Sequence, residues 1–330
     1  MRIPALDGLR GIAILMVVVG HAYPYTYGLG GTVGVTLFFV LSGFLITQAL
    51  IKDGKLASFY WRRFLRLYPA LIPFLLLAAA VLGWGLVWPV AFYMSNIVQI
   101  AGHDLWPLTH TWSLSVEEHF YLLWPLFFTR ASRKTALVAL PVGIVLSIVW
   151  RLSVDSDLWA YQGTVANAYA LLLGCLLALV STSPRALTRT TSAPVAVLIV
   201  LGFLPVDAGS FLATGRWASI LAAGLSFLAV GAAAGVKSSW LATKPLRHLG
   251  RLSYSWYLWH LPLIAWVGAV HPGWEPLGAL ISLVVAQGSW RYLERPILEW
   301  AENRRSIKRA EMAGPRQPSP ATRPRHRGWE

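Results

Sequence analysis

The chain has 330 residues, 56% of them hydrophobic and only 13% charged, about half the charge density of a soluble domain, which excludes an ordinary soluble globule. A net charge of +14 would suggest nucleic acid in a soluble chain. Here the basic residues collect in short segments between apolar runs, as membrane topology requires, so no nucleic-acid partner is expected. The single cysteine, Cys175, lies in an apolar run; it excludes a disulfide or thiolate metal site and reads as a small buried hydrophobe.

In chain order, the apolar runs predict about ten transmembrane helices, near 8–24, 33–51, 69–93, 112–129, 135–152, 161–181, 192–207, 217–236, 252–270 and 276–298. The first ends in Gly20-His21-Ala22 without a small-residue cleavage site, so it is expected to be a retained helix rather than a signal peptide. Segment 58–67 mixes aromatics with three arginines and predicts a short interfacial helix. Pro69, Pro73, Gly83, Gly85 and Pro89 crowd the third run; one kinked crossing is expected, with a helix plus a re-entrant piece as the alternative.

The loops give an independent test of sidedness. The even ones carry Lys52, Lys55, Arg62, Arg63 and Arg66, then Arg130, Arg133 and Lys134, then Arg185 and Arg189, then Lys237, Lys244 and Arg247. The odd ones carry only Arg151 and Arg216. This alternation puts the even loops in the cytoplasm. The expected fold is therefore all-α: a polytopic transmembrane helical bundle of about ten helices in the cell membrane, both termini cytoplasmic. One membrane domain, 1–302, would be followed by a charged, Pro-containing stretch, 303–330, that predicts a disordered basic cytoplasmic tail.

Ionisable residues inside such spans are expensive and mark functional sites. Arg10 and His21 are eleven positions apart, about 16 Å of helical rise and about 20° from whole turns, so they share one face. Arg10 reads either as a snorkelling anchor or as a site residue; His21, facing a bundle interior, could act as a general base. The fourth span opens Trp112-Ser113-Leu114-Ser115-Val116-Glu117-Glu118. Its adjacent carboxylates point about 100° apart, so only one is expected to face a site. Glu117 is expected at the depth of His21, where it would orient the imidazole. Arg63 and Arg66, spaced i, i+3, share a helix face and suit phosphate oxygens or anionic lipid. In Ser253-Tyr254-Ser255-Trp256-Tyr257-Leu258-Trp259-His260, His260 falls near mid-bilayer and Tyr254 is an additional candidate. Ser42 reads first as a small residue for close helix approach.

No nucleophile elbow, phosphate-binding glycine loop or metal-ligand spacing is present in the sequence, so neither a metal nor a tightly bound cofactor is expected. Taken together, Leu6-Asp7-Gly8-Leu9-Arg10 with His21, 38–46, 60–69, 112–122 and 252–262 resemble the integral-membrane acyltransferase-three family, over 5–298 of this chain. The resemblance implies an O-acyltransferase that moves an acyl group, acetyl first, from acyl-CoA onto a hydroxyl. It implies activity roles for Arg10 and His21, with His21 the base, donor binding at Arg63 and Arg66, with Arg10 expected to join them on the phosphates of acyl-CoA, and a preference for Glu117 over Glu118. His260 matches a family position of less settled role. The chain reads as a stand-alone membrane domain. The acceptor is expected to be a cell-envelope saccharide or glycolipid; a secondary metabolite such as a macrolide is the alternative. A transporter is the competing class, against which stands the lack of paired Gly- or Pro-broken spans in matching halves.

Overall fold

The computed structural model describes residues 3–23, 28–180, 192–207, 209–235 and 240–313, and every regular element among them is helical. Helices satisfy their own backbone groups, which a lipid-embedded chain requires. α1 (Pro4–Ala22) starts on a proline, whose missing N–H costs nothing there. α2 (Leu29–Asp53) is closed by Gly54 at φ +61°. α3 (Leu56–Leu82) runs through Pro69 and Pro73 and stops at Gly83, φ +86°. After α4 (Trp84–Ala91) and α5 (Ser95–Ile100), a 3-10 turn, Thr109–Thr111, leads into α6 (Trp112–Phe128). Ser132 caps α7 (Arg133–Ser153), accepting the Thr135 N–H at 3.1 Å. α8 (Asp157–Gln162), α9 (Thr164–Val180), α10 (Ser192–Gly202), α11 (Phe211–Gly235), α12 (Lys244–Val270) and α13 (Glu275–Ser289) follow. One π-helical turn, Trp290–Glu294, joins α13 to α14 (Arg295–Ala313).

The all-α, multi-span architecture is as expected, and six of the expected spans stand out by length and apolarity. Six helical stretches are long and apolar enough to cross a membrane: α1, α2, α3, α7, the α8–α9 stretch Asp157–Val180, and α11. Of the remaining expected spans, α10 and α13 are short, with 11 and 15 residues. α6 has 17 residues and carries Glu117, Glu118 and His119, while α12 carries Lys244, Arg247 and Arg251. The interfacial helix expected at 58–67 is the first part of α3, because a Pro in a membrane helix can be accommodated by its neighbours. The break in 69–93 comes at Gly83, in a conformation that only glycine adopts freely. Helix α14 continues to Ala313, into the segment expected to be a disordered tail; 314–330 lie outside the described residues, as do Arg185, Arg189 and Lys237.

Burial ranks the helices. The best window of α2 is 78% buried and that of α1 72%, against 28% for α7. Val138, Val145, Leu146 and Val149 of α7 face outward, as lipid-facing residues do. Small residues let the central helices touch backbone to backbone. A Cβ on Gly43 of α2 would meet the Leu171 carbonyl oxygen of α9 at 1.9 Å, and one on Gly174 would meet the Val40 oxygen at 2.1 Å. Gly43→Ala is therefore expected to destabilise the bundle by about 1–3 kcal/mol, measured as a lowered Tm of the detergent-solubilised protein. An unchanged Tm would mean that α2 and α9 can separate freely.

Arg151, read from sequence as a loop charge, is fully buried at the end of α7. Its guanidinium donates to the carbonyls of Ala160 (2.5 Å) and Arg216 (3.1 Å) and to Asn167 Oδ1 (3.2 Å). It clamps α7 to α8, α9 and α11.

Candidate active site

Two polar centres lie along α1. At its C-terminal end, His21 meets His260 of α12: His260 Nε2 is 3.1 Å from His21 Nδ1, and the ring centroids are 5.0 Å apart. His260 Nδ1 lies 2.7 Å from the Tyr257 carbonyl oxygen. A carbonyl only accepts, so this nitrogen carries the proton and His260 Nε2 is left as an acceptor. The proton between the rings then belongs to His21 Nδ1, which also lies 2.9 Å from the Val17 carbonyl. These assignments leave a lone pair on His21 Nε2, beside Gly31 of α2; a Cβ on Gly31 would sit 3.9 Å from that nitrogen.

The second centre is a cavity of about 60 Å³ lined by Arg10, Ser42, Ser113, Glu117, Tyr254 and Tyr257 among others. Ser42 Oγ donates to Glu117 Oε1 at 2.6 Å. Arg10 Nε and Tyr254 Oη are buried without a hydrogen-bond partner, a cost that a bound polar ligand or water would remove. Tyr257 connects the centres. Its hydroxyl donates to the His110 carbonyl at 2.5 Å and lies 2.7 Å from Ser113 Oγ, while its own carbonyl holds His260.

The structure sorts the expected site residues differently from their order in sequence. His21 and His260 meet, although 239 positions apart. Arg10, Ser42, Glu117 and Tyr254 share the cavity. The expected contact of Glu117 with His21 is not formed: Glu117 pairs with Ser42, while His21 meets His260, whose ring also packs on that of His110 at a centroid distance of 4.9 Å. The physical reason is length. Glu117 lies seven residues beyond His110, about 10 Å along a helix, which carries it to the level of Arg10. Close approach of α2 to its neighbour is made by Gly43, leaving Ser42 free to face the cavity. Arg63 and Arg66 also part company. Arg63 forms a forked ion pair with Glu118 and lies 3.2 Å from the centroid of the Tyr121 ring. Arg66 is exposed.

Sequence reasoning missed two buried residues. His110, 3% exposed, has no hydrogen-bond partner at either ring nitrogen; its place two residues before Trp112-Ser113-Leu114 was the available signal. Glu294, also 3% exposed, accepts from Ser255 Oγ and Ser289 Oγ in the π-helical turn. Its neighbours Arg291 and Arg295 disguise it as part of a solvated charge run. Among the described residues no group of histidine, cysteine and carboxylate side chains could hold a metal.

The fold and these buried ionisable residues define a polytopic integral membrane protein with a polar site inside its bundle. The chain belongs to the acyltransferase-3 family, whose description, acyltransferase domain, matches residues 3–287. Over 89% of its length it is 31% identical to O-acetyltransferase OatA of Staphylococcus aureus, covering 57% of that protein. Similar coverage, 89% of this chain, relates it to the putative peptidoglycan O-acetyltransferase YrhL of Bacillus subtilis, at 30% identity and 55% of that protein. For peptidoglycan O-acetyltransferase OatA of Listeria monocytogenes the identity is 29%, over 89% of this chain and 56% of the relative. The chain thus spans little more than half the length of the curated relatives it matches. No solved structure matches it.

Proposed function

We propose that this protein is a membrane O-acyltransferase that moves an acyl group, acetyl first, from acyl-CoA to a hydroxyl of a cell-envelope saccharide. The observation that carries the reading is the His21–His260 pair, which leaves His21 Nε2 as an unprotonated base inside the bundle. His21 Nε2 takes the acceptor's hydroxyl proton. The resulting oxygen attacks the thioester carbon, the C–S bond breaks, and the CoA thiolate recovers the proton from the imidazolium. His260 is the positioning residue that holds the tautomer. Arg10 and Glu117 line the path of the acyl end from the arginine-rich side. The family assignment and relatives named as peptidoglycan O-acetyltransferases support an envelope acceptor.

In this reading the arginine-rich end is cytoplasmic, and α6, α10, α12 and α13 cross the bilayer with the six longer stretches. Packing of α12 against α1, and of α13 against α12, supports that placement. The membrane domain ends near 302. Of the arginine pair, Arg66 is exposed and open to one donor phosphate, whereas Arg63 is already held by Glu118. Arg66→Ala is expected to raise the KM for acyl-CoA about tenfold, the value of one charge-assisted hydrogen bond, with the acceptor KM unchanged. Equal rises in both constants would place Arg66 elsewhere. The function itself is tested by incubating purified protein with radiolabelled acetyl-CoA and cell-wall saccharides. Label on a saccharide hydroxyl with stoichiometric CoA release is expected; no CoA release with any acceptor would overturn the reading.

A further inference from the structure

The cavity beside Arg10, at about 60 Å³, is far smaller than the roughly 300–1,000 Å³ that a drug-sized ligand occupies. It can take an acyl end but not a nucleotide. If the donor is acyl-CoA, as proposed above, its phosphorylated adenosine must rest elsewhere on the same end of the protein. A groove of about 500 Å³ lies there, formed by α12, α13, the π-helical turn and α14. His248, Arg251, Arg291 and Arg295 line it with Trp290.

Charge and position both suit phosphate. Glu299 and Glu302 also line the groove, but Glu299 is taken by Arg295 at 2.7 Å. Arg251 and Arg291 form no ion pair among the described residues, and both are exposed. Trp290 is half-buried and offers an indole in the same groove, the kind of flat surface on which a base stacks. π-helical turns recur at functional sites; this one puts Trp290 and Arg291 on the groove.

The groove also lies close to the cavity. Arg251 and the cavity residue Tyr254 are one turn apart on α12 and so occupy neighbouring positions on its surface. Gly250, next to Arg251, packs against the Asp7 backbone of α1, three residues before Arg10. α3, the helix of Arg66, packs on the π-helical turn.

We propose that this groove is a phosphate-binding site that seats the phosphoadenosine end of acyl-CoA, with Arg251 and Arg291 on its phosphates and Trp290 against its base. The proposal rests on acyl-CoA being the donor. It is tested on the full chain in detergent by calorimetric titration with adenosine 3′,5′-bisphosphate and with CoA. The double variant Arg251→Ala/Arg291→Ala is expected to bind both at least about tenfold more weakly, at unchanged Tm, and Arg251→Lys/Arg291→Lys to recover part of the loss. Trp290→Leu, which keeps every charge, should weaken the bisphosphate and leave inhibition by inorganic pyrophosphate as it was.

Two outcomes would overturn the proposal alone: wild-type turnover of acetyl-CoA with an unchanged donor KM in the double variant, or unchanged nucleotide binding with loss of binding to phosphatidylglycerol vesicles relative to phosphatidylcholine vesicles. The second outcome would identify the phosphates as those of lipid headgroups. A wild-type protein that neither binds CoA nor releases it from acetyl-CoA would overturn the donor assignment, and the groove's nucleotide with it.

Discussion

His21→Ala lowers kcat for acyl transfer by about 10²–10⁴, the usual contribution of a positioned general base, while the folded protein is recovered from membranes in normal yield. The size of the effect follows from the tautomer chain. Tyr257 O fixes the proton on His260 Nδ1, His260 Nε2 accepts from His21 Nδ1, and His21 Nε2 is left to take a proton. Alanine removes the base but leaves α1 held by its close packing on α2 and α12, where Gly34 faces the Ala13 carbonyl and Gly11 the Leu246 carbonyl. His260→Asn separates positioning from chemistry: it should lower kcat by less than His21→Ala, leave both KM values near wild type, and move the pH–rate profile. The measurement is steady-state CoA release across pH. Full activity of His21→Ala would end the mechanism, and an unmoved pH profile in His260→Asn would reduce that residue to packing.

Arg63→Ala should be lost chiefly as a folded protein, before any effect on donor affinity can be measured. The Arg63 and Glu118 side chains are only 19% and 16% exposed, and the guanidinium also covers the Tyr121 ring. Removing one partner strands the other's charge away from water, at a cost of about 3–5 kcal/mol. Glu118→Ala should therefore be about as damaging as Arg63→Ala, and the double variant Arg63→Ala/Glu118→Ala milder than the sum of the two. Thermal unfolding of the four proteins in one detergent closes this cycle. Additive losses, or an Arg63→Ala protein of normal Tm whose only defect is a raised KM for acyl-CoA, would return Arg63 to the role of a phosphate ligand.

Much of the protein was legible in its residues. Apolar runs of bilayer length announced an all-α membrane bundle, and the chain's motifs pointed to the family that residues 3–287 confirm. Arg10, His21, Ser42, Glu117, Tyr254 and His260 were all singled out, and all stand at one of the two polar centres. Cys175, taken for a small buried hydrophobe, is buried with its Sγ 3.5 Å from the Gly43 carbonyl. Of the expected spans, α6 and α12 are less apolar than the six longest, because they carry the polar residues of the site.

Helical periodicity determines which residues share a face of their own helix, so the sequence by itself could place Arg10 with His21 and set Glu117 apart from Glu118. It carries no information on which neighbour that face will meet, since in a membrane bundle lipid-facing and core-facing sides are equally apolar. Only the tertiary structure decided that His260 rather than Glu117 reaches His21, that Glu118 holds Arg63, and that Ser42 faces a cavity while Gly43 makes the helix contact. Those choices come from how closely glycine-bearing helices can approach and at what depth each then sets its polar groups. Among apolar helices, a few ångströms of backbone approach decide which charges meet.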